Sequence, residues 1–515
     1  MIKKNKQTDP RAVYLETMGC QMNQLDSELV LSQITQMGYT PVDNPEDASV
    51  VIYNTCSVRQ HAEDKVISKI GQIKHDKAHG RDVTLAVIGC MAQRMGPKLL
   101  EENPQVDISC GPGQIHQLGE KLKQQQADKA PVVIRNSKAD LDALEQLDAA
   151  RQIFDQTVPF SAYVRVIRGC SKFCHFCVVP FTRGLERSRP IDNVVEETRK
   201  LVDQGVKEIT LLGQTVNSYH YVNGKSYCLA DVMERIHDFD GLERIRFVTS
   251  YPCDFHDEII QAMAALPKVC RYLHMPAQHG ADSVLKRMNR HYNRTQYVEL
   301  IRQYRDAMPD IAIAGDIIVG YSGETDEEFE QTKTLLEEIR YKNNYIFQYS
   351  VRPRTRADRD DAYPDDIPRS VKKRRNHELL ELQNRISAED NQRFVGQTVE
   401  VLIEGPSKKP HLDANNAPLT KATLYDTHDD QTPSPPQSAQ LHGIANLSRP
   451  AILNAERRTQ NTEHRIQNAD CIQLVGRTRG DYIVVFPGRA DLAGQLRNVT
   501  IEKASAVTLF GQLSG

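Results

Sequence analysis

Apolar positions along the chain follow two rhythms. From about residue 12 to 125, short apolar runs alternate with longer stretches whose apolar residues recur at helical spacing. Val13–Thr17 predicts a strand and Gln24–Met37 a helix; Val50–Tyr53 predicts a strand and the stretch from about Val58 to Ile73 a helix; Val83–Ile88 predicts a third strand, with another helix behind it. Strand and helix taken in turn define a small parallel α/β domain. The same alternation resumes on a larger scale between about 160 and 355, with strands at Ala162–Ile167, Glu208–Gly213, Arg244–Val248, Tyr272–Met275, Ile311–Val319 and Tyr345–Tyr349. Helical patterns near Asn193–Gln204, Leu229–Asp238 and Phe255–Ala265, and from Asp282, Thr295 and Asp326, fill the gaps. Six strands with crossover helices predict a partial or complete parallel barrel, whose chemistry sits at the carboxyl ends of the strands.

Beyond the barrel the rhythm changes again. Pro368–Phe394 reads as a charged helix carrying Lys372-Lys373-Arg374-Arg375, first a solvated face and second a contact for RNA backbone. Gln397–Gly405, Leu474–Thr478, Tyr482–Phe486 and Val499–Glu502 are short strands broken by glycine turns, the pattern of a small β-barrel. The expected division is therefore 10–127 for the first α/β domain, 128–157 for a polar connector, 158–393 for the barrel and 394–507 for the terminal β-barrel. A polar insertion at about 411–470, with Thr432-Pro433-Ser434-Pro435-Pro436 and no apolar periodicity, is expected to be loosely ordered.

Candidate chemistry is carried by cysteine. Each of the three N-terminal strands runs into one: Gly19-Cys20-Gln21-Met22-Asn23, Asn54-Thr55-Cys56-Ser57-Val58-Arg59 and Gly89-Cys90-Met91-Ala92-Gln93-Arg94. Ligand crevices in parallel sheets lie beyond the carboxyl ends of the strands, so three thiols converge on one rim. The helix starts that follow, with Arg59 and Arg94, add positive potential suited to an anionic iron–sulfur cluster. The barrel begins with a second set, Arg168-Gly169-Cys170-Ser171-Lys172-Phe173-Cys174-His175-Phe176-Cys177, directly after its first strand. A structural zinc site wants four closed ligands. Three thiolates on a four-iron cubane leave one iron open to a substrate instead.

Composition narrows the setting without choosing a substrate. In 515 residues, 26% charged with a net charge of -3, any nucleic-acid surface must be local. No apolar run reaches the length of a membrane span, and Met1–Gln7 lacks the apolar core of a signal peptide. A cytoplasmic, monomeric protein is expected, in which the 11 cysteines serve as thiols or metal ligands rather than disulfides.

The Cys-x3-Cys-x2-Cys loop at the end of a first barrel strand resembles the signature of radical S-adenosylmethionine (SAM) enzymes. With the three N-terminal cysteines and the terminal β-barrel, the whole is similar to the radical SAM methylthiotransferases. Gly19–Asn23, Asn54–Arg59, Cys177-Val178-Val179-Pro180-Phe181-Thr182-Arg183-Gly184 and Leu212-Gly213-Gln214-Thr215-Val216-Asn217-Ser218-Tyr219 are most similar to the MiaB branch. The resemblance implies an N-terminal methylthiotransferase domain, a radical SAM partial (β/α)6 barrel and a terminal TRAM domain that grips tRNA. It implies two 4Fe-4S clusters, one on Cys20, Cys56 and Cys90 that carries sulfur and one on Cys170, Cys174 and Cys177 that cleaves SAM. Gly213, Gln214, Asn217, Gln278, Asp316, Gly320 and Glu324 are then expected to line the SAM pocket, with Arg183 a further polar contact. The implied substrate is tRNA bearing isopentenyladenosine, with an electron donor of flavodoxin or ferredoxin type and a sulfur donor system as partners. Sister enzymes acting on threonylcarbamoyladenosine or a ribosomal aspartate are the alternatives, and a non-catalytic iron–sulfur or zinc RNA-binding protein is a remote one.

Two departures fall in loops expected to border the substrate mouth. His279 stands where the family has serine and is read first as a surface-loop histidine and second as a new ligand or proton carrier; Val351 and Arg354 stand where the family reads Ser-Pro-Arg-Pro-Gly-Thr. Cys110, Cys228, Cys253, Cys270 and Cys471 match no ligand position and are read as ordinary thiols.

Overall fold

The computed structural model describes residues 9–58, 60–135, 140–152, 160–407 and 471–514. Arg59 and the 411–470 insertion, singled out above, lie outside the described residues. The first domain is a parallel sheet of six strands: β1 (Ala12–Met18), β2 (Thr40–Pro41), β3 (Val50–Thr55), β4 (Thr84–Gly89), β5 (Ile108–Cys110) and β6 (Val132–Ile134), in the order β2-β1-β3-β4-β5-β6. β3 and β4 are buried along their whole length. A central parallel strand is covered by helices on both faces, which is why these two read as unbroken apolar runs. β2, β5 and β6 are two or three residues long and leave no periodic signal.

The segment expected to be a connector is part of this domain. It supplies β6 and the helix Leu141–Ala149, whose Ile134, Leu144 and Leu147 are buried in the same core as Val13, Ile52 and Ile88.

The central barrel is open. β7 (Ser161–Arg165), β8 (Glu208–Leu212) and β9 (Arg244–Phe247) form one parallel sheet in the order β9-β8-β7. β10 (Tyr272–His274), β11 (Ala312–Val319) and β12 (Asn343–Gln348) form a second. A single bridge between Ile245 and Val269 joins them. The helix Arg369–Asn391 closes the set, burying Leu379, Leu382 and Ile386 in the barrel core. Its basic run is only half solvated, contrary to the first expectation. Lys372 and Arg375 are buried, Lys372 donating to Tyr349 O at 3.1 Å and Arg375 to Glu324 at 2.8 Å, because every third or fourth residue of a packed helix faces inward.

β13 (Thr398–Pro406), β14 (Ile472–Arg477), β15 (Ile483–Gly488), β16 (Leu496–Ala504) and β17 (Thr508–Leu513) form a closed barrel in the order β13-β14-β15-β17-β16. Its core takes in Tyr272, Ala312 and Ala314 from the first residues of β10 and β11. Arg244 donates to Arg477 O at 2.8 Å, Arg246 to Thr478 O at 2.6 Å, and Lys342 pairs with Asp481 at 2.9 Å. These anchors lie at the amino ends of the central strands, so the carboxyl ends stay open.

The first two domains meet through a buried charge cluster. Asp148, on the Leu141–Ala149 helix, pairs with Arg168, lies 3.5 Å from Arg189 and 3.8 Å from Arg165, and is 2% exposed. Burial alone would raise its pKa; Arg168, Arg189, Arg165 and Arg151 overcome that and hold the carboxyl at about 2. The folded pKa lies below the usual aspartate value, so the stabilisation is complete above about pH 4 and is lost as pH falls toward the folded value. Asp148→Asn is expected to destabilise the chain by about 3–5 kcal/mol at neutral pH. In thermal melts against pH, its deficit from the parent should shrink below about pH 4.

Candidate active site

The carboxyl ends of the first sheet and of the barrel strands open into one cavity of about 1600 Å³. Cys20 and Cys56 stand on one wall; Cys170, Cys174 and Cys177 stand on another. Cys90 is 3% exposed and lies behind the first wall, beside Cys20.

Local structure explains how the first thiols are held. Cys20 caps the helix Gln21–Gln36, and its Sγ donates to Asn23 Oδ1 at 3.3 Å. Asn23 Nδ2 donates to Asn54 Oδ1 at 2.9 Å, while Asn54 Nδ2 donates to Asn23 O at 2.7 Å. This amide pair ties the Cys20 loop to the Cys56 loop. Val58 N–H points at Cys56 Sγ at 3.2 Å. Gly89, just before Cys90, has φ +95°, and a Cβ there would stand 2.4 Å from Asn54 Oδ1. Glycine is therefore required for the three loops to close up. A hydrogen bond from Cys20, burial and the neighbouring thiols push the Cys56 thiol well up; burial also raises Cys90, against the pull of Arg183. Arg94, expected to lend charge, is spent on Glu63 through two 3.0 Å contacts and on Ser57 at 3.2 Å.

The second set sits on a loop pinned from several sides. Gly169 has φ +66° and lies so close to Gly184 and Leu185 that a Cβ would fall 2.2 Å from Leu185 O. Cys170 N donates to Gly184 O at 3.1 Å, and His175 N to Met288 O at 3.1 Å. Arg290, half-buried, donates to Cys174 Sγ at 3.3 Å and to Tyr292 OH at 2.9 Å, with its guanidinium 4.5 Å from the Tyr251 ring. Burial pushes Cys170 up to about 11 and raises Cys177 with help from Cys174.

The residues expected in the SAM pocket divide. Gly213, Gln214 and Gln278 face the cavity beyond the ends of β8 and β10, and Asp316 faces it from within β11. Gln278 has φ +69°; its N–H donates to Asp316 O at 2.8 Å and its carbonyl accepts from Ile318 N at 2.9 Å. Asn217, Gly320 and Glu324 do not face it. Both polar atoms of the Asn217 amide are taken by the Tyr251 backbone, at 2.7 and 2.8 Å. Glu324 is 2% exposed and is shared by His279 at 2.9 Å, Arg375 at 2.8 Å and Gly320 N–H. His279 is thus no surface histidine: 1% exposed, it also lies 3.2 Å from the Thr332 hydroxyl. Arg183 serves the first thiol set rather than the pocket, pairing with Asp26 at 2.9 Å and setting its positive charge beside Cys90.

Sequence reasoning missed Arg290, Asn23 and Asn54 as positioning residues. The two asparagines lay inside quoted motifs and are polar residues beside buried strands; Arg290 gave no signal. Among the described residues Cys110, Cys228, Cys253, Cys270 and Cys471 stay outside the main cavity, and no helix is long and apolar enough to cross a membrane.

Residues 12–111 match the model of an uncharacterized protein family, UPF0004, and residues 164–336 match the radical SAM superfamily. Among solved structures, the radical SAM methyltransferase TsrM from Kitasatospora setae shares the fold at a TM-score of 0.50 and 14% identity, over 68% of this chain and 77% of that one. The chain is a radical SAM methylthiotransferase. A tRNA-2-methylthio-N(6)-dimethylallyladenosine synthase from Rhodopirellula baltica is 40% identical over 98% of this chain and 95% of its own length. One from Syntrophotalea carbinolica is 43% identical over 78% of this chain and 90% of its own. The chain belongs to that family of synthases.

The two acids expected in one pocket should behave differently. Asp316→Ala is expected to weaken SAM binding at least several-fold in calorimetry while leaving the melting temperature unchanged. Glu324→Gln is expected to cost about 2–4 kcal/mol of stability, because it leaves Arg375 with only the exposed Asp326 as an acidic partner.

Proposed function

We propose that the chain adds a methylthio group to C2 of N6-isopentenyladenosine next to the anticodon of tRNA, using two SAM molecules and two 4Fe-4S clusters. The observation that carries this reading is the opening of Cys20 and Cys56, with Cys90 behind them, and of Cys170, Cys174 and Cys177 onto one cavity. The names of the relatives supply the substrate. In this reading Cys170, Cys174 and Cys177 hold one cluster, and Cys20, Cys56 and Cys90 the other.

Donor chemistry supports the fit. Buried thiols that raise one another's pKa favour bound iron, which offsets their mutual repulsion. Among the described residues no three Cys, His, Asp or Glu side chains are drawn together as ligands of a single ion. A cubane does not ask for that, because each thiolate takes a different iron and the sulfurs stand apart. The C2–H of adenine is neither acidic nor easily displaced, so side-chain acid–base chemistry alone cannot activate it. When bound, the cluster on Cys170, Cys174 and Cys177 would supply the electron that splits SAM and the cluster on Cys20, Cys56 and Cys90 would supply sulfur.

The chain's own residues bind and orient. Asp316, Gln278, Gly213 and Gln214 offer polar groups to the part of the cavity where SAM would lie. Asp26 and Arg183 hold the two thiol walls in register. The partners of this reading are tRNA, an electron donor of flavodoxin or ferredoxin type and a sulfur donor system, for a monomer in the cytoplasm.

Anaerobic iron and sulfide counts on Cys170→Ala and on Cys56→Ala test the cluster assignment; each variant is expected to lose about one four-iron cluster and keep the other. Zinc bound at either set would overturn it. Nucleoside mass spectrometry of tRNA from cells with and without the gene tests the substrate, and unchanged methylthiolated isopentenyladenosine would remove it. Arg290→Gln is expected to keep the iron of the Cys170 set but lower its midpoint potential in an EPR redox titration. A cationic donor on a thiolate favours the more negative, reduced form, and the substitution removes that charge.

A further inference from the structure

Phe181 lies in the short helix Val179–Arg183 that follows the Cys177 loop. Two guanidinium groups share its ring: Arg354 at 5.7 Å and Arg359 at 5.9 Å from the centroid. Arg135, one residue beyond β6 in the first domain, brings a third charge to the same place; with burial, the like charges of Arg135 and Arg359 lower the Arg354 pKa. Among the described residues, none of the three arginines makes an ion pair with a carboxylate. The two acids within residues 354–360 are engaged elsewhere. Asp358 accepts the Arg354 backbone N–H at 2.8 Å, and Asp360 accepts from Ala362 N at 3.0 Å and from Arg356 at 3.3 Å.

Arg354 also has a backbone φ of +75°. Glycine adopts that conformation freely, and the family pattern has glycine at this position; arginine adopts it against steric resistance. A side chain kept at a strained position among like charges implies a use that stability does not supply. The place suggests what that use is. Val179 and Arg352 line the main cavity, and Phe181 and Arg354 follow them by two residues each in the chain. The three arginines come from both domains that build the cavity.

We propose that Arg135, Arg354 and Arg359, arranged around Phe181, bind the phosphodiester backbone of the RNA substrate where it enters the cavity. Planar guanidinium forks match phosphate oxygens, and contacts of this kind position RNA without reading its sequence. The proposal rests on the reading of the substrate as tRNA and adds where its backbone is held.

The test is fluorescence anisotropy with labelled tRNA over a series of KCl concentrations, using the full chain. Arg354→Gly is expected to weaken tRNA binding about three- to tenfold and to reduce the slope of log affinity against log salt by about one. Arg135→Ala and Arg359→Ala should do the same. The melting temperature of Arg354→Gly should stay level or rise, since glycine relieves the backbone, and SAM cleavage without RNA should not change. Parent-like affinity and slope in Arg354→Gly, with the parent binding tRNA, would overturn the backbone site and leave the substrate reading intact. Failure of the parent itself to bind tRNA would sink both. Polyglutamate competing as well as RNA of equal charge would assign the patch to an acidic protein and also overturn the proposal.

Discussion

One buried carboxylate fixes how the two halves of the cavity face each other. Asp26 sits on the Gln21–Gln36 helix, with no exposed surface, and its two oxygens accept from Arg165 at 3.0 Å and Arg183 at 2.9 Å. A carboxylate so enclosed is tolerable only with its charge matched, and both matching charges come from the barrel. Arg165 ends β7, just before the Cys170 loop, and Arg183 ends the helix just after Cys177. The first domain can therefore bury Asp26 only by presenting the Cys20 rim to the segments that flank the other thiols. Arg183 then reaches Cys90 as well, so one side chain joins the seam to the first thiol set.

With the seam fixed, the rest of the molecule shapes what the thiols face. The terminal β-barrel takes the amino ends of the central strands through Arg244, Arg246 and Lys342, leaving only the carboxyl ends available for a site. At those ends the backbone turns sharply. Thr249, after β9, and Gln278, after β10, both have φ +69° although neither is glycine. Their strain is held by neighbours: Thr249 O accepts from Val216 N at 2.9 Å, and Gln278 bonds both ways to β11. Strained backbone on cavity walls is where pre-organisation for a ligand is expected.

What was legible in the sequence was whatever repeats. β3 and β4 announced themselves as apolar runs, and the six barrel strands by alternation with helices. β2, β5 and β6 did not, because two or three residues cannot display a period, and the 128–157 stretch looked like a linker because its few apolar residues are spread over a strand and a helix that bury them together. Cysteine placement was legible because loops after parallel strands share one rim. Side-chain direction was not. Asn217, Gly320 and Glu324 occupy the right loops yet turn inward, since a loop residue is claimed by the nearest unsatisfied backbone or charge, and that partner comes from a distant part of the chain: Tyr251 for Asn217, Arg375 for Glu324.

The departures from the family pattern follow the same logic. His279 could be accommodated because Glu324 and Thr332 already offered polar atoms to an enclosed side chain; a histidine that could not reach them would leave ring nitrogens buried and unsatisfied. Its effect is spent inside the wall behind Gln278. Arg354 is the opposite case, an added charge over the Phe181 ring that gains no acidic partner among the described residues and holds a backbone angle better suited to glycine. Neither change touches a thiol. The loops can therefore vary in what they admit to the cavity while Asp26 and its two arginines keep the sulfur geometry constant, so the reaction and the recognition of its substrate are set by separable parts of the chain.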